Sequence, residues 1–376
     1  MIDPKSFYDH LTSHSDFITG VPDSLLKDFN ACVLNEHPKN KHIIAPNEGT
    51  SIGLAIGNYI SSGKVPTVYM QNSGIGNAVN PLMSLADKDV YGVPLVVIIG
   101  WRGEPGVKDE PQHFKQGLIQ EAFLQAMQLD YRILDSENLD WSALLDEMYS
   151  SAVTDQCPKV LLVRKGTFDS YKLSAGEQLD LESREYAINT VIDGLGTDSI
   201  FIGTTGKASR ELFELRVSRG ESHENDFLTV GGMGHASAIA TGISMNTKKR
   251  VVCLDGDGAL LMHMGGLVST AHFASSNFVH VVINNGVHES VGGQPTLINN
   301  VNVKNLAIAS GYHKAYSVKT AAEFNRICES NQIGNGAVLI EYIVKPGAKK
   351  DLGRPTQKPK DNMQSLMRNL HSMDDE

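Results

Sequence analysis

Short apolar runs alternate with stretches of helical period along most of the chain. Between residues 17 and 165 the runs DFITG, HIIAP, TVYMQ, PLVVIIG, YRIL and KVLLVRK read as strands, while residues 51–60 and 118–127 carry apolar positions at helical spacing. These runs are apolar throughout instead of alternating, which predicts a parallel sheet covered by helices on both faces. Residues 170–182 are polar and without period, and read as a linker. The pattern then restarts with SIFIG, FLTVG, RVVCLD, FVHVVIN, HKAYSV and AVLIEYIV, with a helical stretch at 236–244. The expectation is an α/β chain of two doubly wound parallel-sheet domains, 1–169 and 183–346, with no third domain between them. Residues 347–376, opening with GAKKDLGRPTQKPKDN, read as a polar, mobile tail with one short helix.

Composition narrows the function classes. The 376 residues suit two domains of ordinary size. A formal net charge of −10, with no Lys/Arg-rich block, argues against a nucleic-acid partner. No apolar run approaches the length of a membrane span and the first residues lack a signal-peptide layout, so a soluble cytoplasmic protein with no membrane partner is expected. Cys32, Cys157, Cys253 and Cys328 are scattered without C-x-x-C spacing, which indicates neither a disulfide framework nor a zinc site.

Two polar clusters carry the chemistry. RVVCL runs into Asp255-Gly256-Asp257-Gly258, and FVHVVI runs into Asn284-Asn285-Gly286, so both lie at carboxyl ends of strands, the edge where open α/β sheets bind ligands. Asp257 offers a carboxylate, Asn285 an amide oxygen and a nearby backbone carbonyl a third oxygen, a set suited to Mg²⁺ with phosphate oxygens. The glycines allow backbone N–H groups to approach a diphosphate. Each cluster alone also reads as an ordinary turn. A competing motif is Gly232-x-Gly234, which opens a helical stretch and has Asp255 about 20 residues onward, near a dinucleotide fingerprint. Ser237 stands where its third glycine or alanine belongs, and DGDG serves no purpose in a ribose-binding acid, so the nicotinamide reading is the weaker one.

Taken together, Gly-Asp-Gly, the intervening residues 259–283 and then Asn-Asn resemble the signature of thiamine-diphosphate enzymes. The resemblance implies thiamine diphosphate and Mg²⁺ as cofactors, with Asp257, the Asn285 side chain and the Val287 carbonyl as metal ligands. It further implies diphosphate contacts at Thr204, Thr205 and Gly206 and at Gly256, Gly258 and Ala259. The backbone at Gly232 would receive the cofactor's amino group, and Met233 would wedge the cofactor into a bent form. Glu48, in HIIAPNEGTSIGLAIG, sits where a strand meets a Gly/Ala-rich helix, the place of the family's activating glutamate. Its alternative is a first-turn residue favoured by the helix dipole. In this superfamily the two domains meet across a subunit boundary, which implies a homodimer or larger homo-oligomer.

The first half also suggests a small-molecule substrate. Asp23, in ITGVPDSLL, resembles the active-site aspartate of 2-oxo acid decarboxylases, or else caps a helix. Asn72, Ser73 and Asn77 lie in MQNSGIGNAVN, a loop that in relatives faces the reacting centre; Asn72 and Ser73 are assigned to substrate and Asn77 to cofactor. The stretch 100–117 leaves the strand PLVVIIG with Arg102, Lys108, His113 and Lys115, which could set a dianionic head among fixed cations, with His113 also counted among the catalytic groups. Interleaved Glu104, Asp109 and Glu110 support the alternative, a solvated charged loop. The two-domain length resembles the compact branch acting on phosphonopyruvate and sulfopyruvate. A single fused chain favours the phosphonate substrate there, since the sulfonate enzymes are typically divided between two chains.

Overall fold

The computed structural model describes residues 1–174, 180–330 and 332–371. The chain forms two compact units, Met1–Gly176 with His288–Pro295, and Glu177–Val287 with Thr296–Glu376. In the first, six parallel strands, β1 (Ile18–Gly20), β2 (His42–Ile44), β3 (Thr67–Gln71), β4 (Val96–Gly100), β5 (Asp130–Leu134) and β6 (Lys159–Val163), stand in the order β2-β1-β3-β4-β6-β5. In the second, β7 (Ile200–Gly203), β8 (Asp226–Leu228), β9 (Val251–Gly256) and β10 (Phe278–Asn284) are joined by Lys314–Val318 and Val338–Ile343. From the β8 edge that sheet runs β8-β7-β9-β10, then Val338–Ile343, then Lys314–Val318. The connectivity repeats: second out, first, third, fourth, sixth, fifth. Two halves of one architecture are therefore present, although their residues do not repeat.

All twelve apolar runs became strands, because each sheet is buried on both faces. Along β4, Val96 and Ile98 enter one core and Val97 and Ile99 the opposite one; along β9, Val252 and Leu254 oppose Val251 and Cys253. Edge strand β5 shows exposed alternate positions, Asp130 and Arg132. In each sheet the direction of winding reverses beside the first strand, between β1 and β3 and between β7 and β9. Such switch points open a crevice beyond the carboxyl ends.

Two expectations change. The helix placed at 118–127 is Pro111–Ala126, starting earlier because Pro111 fits the first turn, where no N–H is needed, although that turn shows no apolar period. The C-terminal stretch is not simply a mobile polar tail. Its helix Pro359–His371 buries Leu366 in the second unit's core, and the Asn362 amide accepts from Leu228 N at 3.0 Å and donates to Asp226 O at 2.8 Å. Among the described residues no helix is long and apolar enough to cross a membrane. All four cysteines are free, Cys32 and Cys253 being buried.

Candidate active site

In the second unit the polar clusters meet at the β7/β9 switch point. Gly203 pairs with Leu254 and Gly256 with Ile283, which aligns the ends of β7, β9 and β10. Thr204 donates its N–H to the Leu254 carbonyl, and its methyl lies beside Gly256. Thr205 Oγ1 accepts from Gly231 N at 3.0 Å, tying this loop to Gly232 and Met233. Gly232 has φ +57° and Gly234 φ +85°, and a side chain at Gly234 would run into His263 and the Ala259 carbonyl. Thr204 to Gly206, Gly232 to Gly234 and Gly256 to Ala259 thus border one another.

Asp257 opens the short helix Asp257–Met262 and is 4% exposed. Burial pushes its carboxyl up to about 6, against a hydrogen bond from Thr296 Oγ1 at 2.5 Å and backbone N–H groups that favour the charge. Asn285 follows β10 and its Oδ1 accepts from Val287 N at 3.1 Å. Behind this turn lies a buried chain that the sequence did not disclose. Asp255 Oδ1 accepts from Gly256 N at 2.9 Å, its Oδ2 meets His280 Nε2 at 3.3 Å, and His280 Nδ1 meets the Tyr312 hydroxyl at 2.9 Å. Asp255 therefore pins the turn that presents Asp257, which a ribose-binding acid would not do.

In the first unit Glu48 begins the helix Glu48–Ser62, whose cap is Asn47 Oδ1 accepting from Thr50 N at 2.9 Å. Glu48 is 5% exposed, more buried than a dipole-stabilised surface residue. Asn77 Nδ2 donates to its Oε2 at 2.7 Å, and its other oxygen rests against Gly74, where any side chain would collide with it. Burial raises the carboxyl's pKa and the Asn77 contact partly offsets this. Asn77, assigned to cofactor by sequence, sits on the helix Ile75–Ser84 and orients Glu48.

Asp23, Asn72 and Arg102 follow β1, β3 and β4. Asp23 is fully buried, with Oδ2 accepting from Leu25 N at 3.0 Å and packed on Gly100, while Oδ1 has no partner. Burial lifts its pKa to about 6, with the Arg102 charge pulling the other way. Three assignments need correction. The Asn72 amide is spent on the backbone of Arg102, donating to its carbonyl at 2.8 Å and accepting from its N–H at 3.1 Å, so it braces the loop. The Arg102 guanidinium is not an open cation: Nε and Nη2 grip the two oxygens of Asp109, and Nη1 donates to Ser24 Oγ at 2.6 Å. Burial would push the Asp109 carboxyl up, but Arg102 and the N–H groups of Glu110 and Gly103 hold it well below the usual carboxylate range. His113 is not a fixed cation either. It is 8% exposed on a helix, its Nδ1 has no partner, and burial and the Arg102 charge lower its pKa to about 4, leaving a neutral ring at pH 7. Lys108 and Lys115 are exposed, and Ser73 Oγ accepts from Gln71.

Two family domains match the two units. The N-terminal TPP binding domain of the thiamine pyrophosphate enzymes matches residues 5–127 and their C-terminal TPP binding domain matches residues 203–342. The chain belongs to the thiamine pyrophosphate enzymes, in their decarboxylase superfamily. A narrower kinship is visible with a phosphonopyruvate decarboxylase of Streptomyces viridochromogenes, 30% identical over 91% of this chain and 88% of that one. Another, from Streptomyces hygroscopicus, is 30% identical over 91% and 87%. By this kinship the chain is an enzyme, a carbon–carbon lyase. A sulfopyruvate decarboxylase of Methanosarcina acetivorans is 25% identical over 88% of both chains. That relative matches at nearly full length, so a single fused chain does not separate phosphonate from sulfonate substrates.

Proposed function

We propose that the chain decarboxylates phosphonopyruvate to phosphonoacetaldehyde and CO₂, taking up one proton, as a Mg²⁺-dependent step of 2-aminoethylphosphonate biosynthesis in the cytoplasm. The observation that carries the reading is the joint retention of a buried glutamate held by Asn77 and Gly74 and of the Asp257, Asn285 and Val287 oxygens, in a chain related to phosphonopyruvate decarboxylases over nine-tenths of its length. The donor set fits a small hard cation, because one buried carboxylate and two neutral oxygens leave room for waters and phosphate oxygens. Thiamine diphosphate, when bound, supplies the electron sink for the pair left behind as CO₂ departs. Thr204 to Gly206, with Gly256, Gly258 and Ala259, would receive its diphosphate, and the Gly232 backbone and Met233 its rings. Glu48, held against Gly74 and with its pKa raised by burial, would share a proton with the pyrimidine nitrogen. Asp23, whose buried carboxyl holds a proton to higher pH and has one unpartnered oxygen, would deliver the proton that replaces the carboxyl group, and His113, a neutral ring at pH 7, would take part as a hydrogen-bonding group and not as the acid. Assembly as a homodimer or larger oligomer belongs to the same reading, with the domains of two copies completing each site.

The phosphonate would be held at Arg102, with Lys108 and Ser73 beside it. Asp109 already occupies the guanidinium fork, so a dianionic substrate competes with it, and each charge-assisted hydrogen bond gained is worth roughly 1.5–3 kcal/mol. The full-length sulfopyruvate decarboxylase relative favours sulfopyruvate as a second reading. The test is to supply purified protein, thiamine diphosphate and Mg²⁺ with phosphonopyruvate, sulfopyruvate or pyruvate and to measure CO₂ and aldehyde. Phosphonopyruvate should give the highest kcat/KM, and Arg102→Ala should lower it far more than that for pyruvate. Preference for sulfopyruvate would install the second reading, and equal loss on all substrates in Arg102→Ala would remove Arg102 from recognition.

A further inference from the structure

Among the described residues, two groups of three bring metal-ligating atoms within 4.8 Å of one another. Cys253, Asp255 and His280 are buried, and the last two are engaged in the chain that pins the Asp257 turn. The other group is on the first unit, outside every residue given a catalytic role above. His10 and His14 come from the helix Pro4–His14, and Asp146 from the helix Trp141–Asp155.

Spaced four residues apart, His10 and His14 project from one face of their helix. Both rings aim the same atom at the same target, His10 Nε2 at 2.8 Å and His14 Nε2 at 2.6 Å from Oδ1 of Asp146. Neither ring turns freely. His14 lies flat on Tyr149, centroids 4.9 Å apart and planes within 9°, and His10 meets Trp141 edge-on at 5.7 Å. The imidazoles are 29% exposed and Asp146 is 53% exposed, so solvent reaches the carboxylate side.

We propose that His10, His14 and Asp146 form a site for a divalent transition-metal ion of the zinc type, separate from the cofactor's metal. Two imidazole nitrogens and one carboxylate oxygen are the donors such ions take, whereas Mg²⁺ prefers oxygen alone. In the arrangement described, hydrogens lie between the rings and the shared oxygen; when the ion takes their place, each neutral ring carries its single proton at Nδ1 instead of Nε2. Ligands at about 2.1 Å in tetrahedral geometry stand roughly 3.4 Å apart, so the carboxylate must withdraw by somewhat under 1 Å. The exposed Asp146 side chain can make that movement while Tyr149 and Trp141 keep the rings in place. With three protein ligands, at least one position is left for water or an exogenous ligand. The ion would join the first helix to the helix Trp141–Asp155 and add its binding free energy to the stability of that pairing.

The experiment is a titration of untagged full-length protein, loaded with thiamine diphosphate and Mg²⁺, with ZnCl₂ in competition with a chromophoric chelator, together with Co²⁺ absorption spectra. The expected result is one Zn²⁺ per chain at this site, a rise in Tm, and a visible Co²⁺ spectrum. His14→Gln and Asp146→Ala should each weaken binding at least tenfold, and His10→Gln/His14→Gln should abolish the Co²⁺ spectrum. Asp257→Ala should leave Zn²⁺ binding unchanged. Circular dichroism of each variant without metal establishes that it is folded, and Asp146→Ala, at an exposed position, provides a test if the histidine variants are not. Absence of Zn²⁺ binding to the unaltered protein, or undiminished binding and spectrum in the folded variants, would overturn the site.

Discussion

Replacing Asp23 with asparagine should make the protein more stable at neutral pH relative to acid while removing activity. Asp23 is wholly buried, one of its oxygens has no partner, and its pKa stands near 6 instead of 3.8. The native state therefore binds this proton more tightly than the unfolded chain does. Stability from the protonated carboxyl is complete below the unfolded value and is lost as pH rises through the folded one. A shift of about 2 units corresponds to about 3 kcal/mol, of which about 2 kcal/mol accrues between pH 4.5 and 7.5. Asparagine does not titrate, so the variant escapes that loss. It leaves an amide donor where Oδ1 has no partner, a penalty that is the same at both pH values and cancels in the comparison. The measurement is Tm of both proteins at pH 4.5 and 7.5. The difference, variant minus unaltered protein, should grow by about 4–8 °C toward the higher pH if the first unit melts as a domain of its size does. An unchanged difference would mean that Asp23 titrates as an ordinary carboxylate, and its place as a proton donor of raised pKa would fall with it.

Two further outcomes follow from close contacts. Gly74→Ala puts a methyl group into the Glu48 carboxylate, so kcat should fall by about a hundredfold with the far-ultraviolet circular dichroism unchanged, since misplacement by about 1 Å costs that much; activity near that of the unaltered enzyme would show that Glu48 needs no such seat. Asn362→Ala leaves Leu228 N and Asp226 O without their partner, and urea unfolding should report a loss of about 1–3 kcal/mol in the second unit.

The strands were legible because each is a short apolar run bounded by glycine, proline or polar residues, and burial on both faces imposes that pattern. That the Asp257 and Asn285 clusters lie together was legible because they end adjacent strands, so a fixed interval in sequence becomes proximity in space. What stayed hidden were the partners. Glu48 meets Asn77 across 29 residues and Asp257 meets Thr296 across 39, and the loop that singled out Asn77 pointed it at the cofactor and not at Glu48. The loop after β4 was misread for the same reason. In the sequence Arg102 reads as one of a set of fixed cations and Asp109 as a separate, interleaved charge, whereas the fold closes them into a fork. His113 looked cationic because its charge depends on burial and on Arg102, which only the tertiary arrangement supplies.

The amide of Asn362 has a consequence for the protein's behaviour in company. Strand β8 is the outer margin of the second sheet, and such a margin offers unpaired N–H and C=O groups on which another molecule's strand can register. Asn362 presents one acceptor and one donor to Leu228 and Asp226, as the peptide groups of a further strand would. One side chain on the helix Pro359–His371 thereby occupies part of a sheet edge that would otherwise offer itself as a template for aggregation.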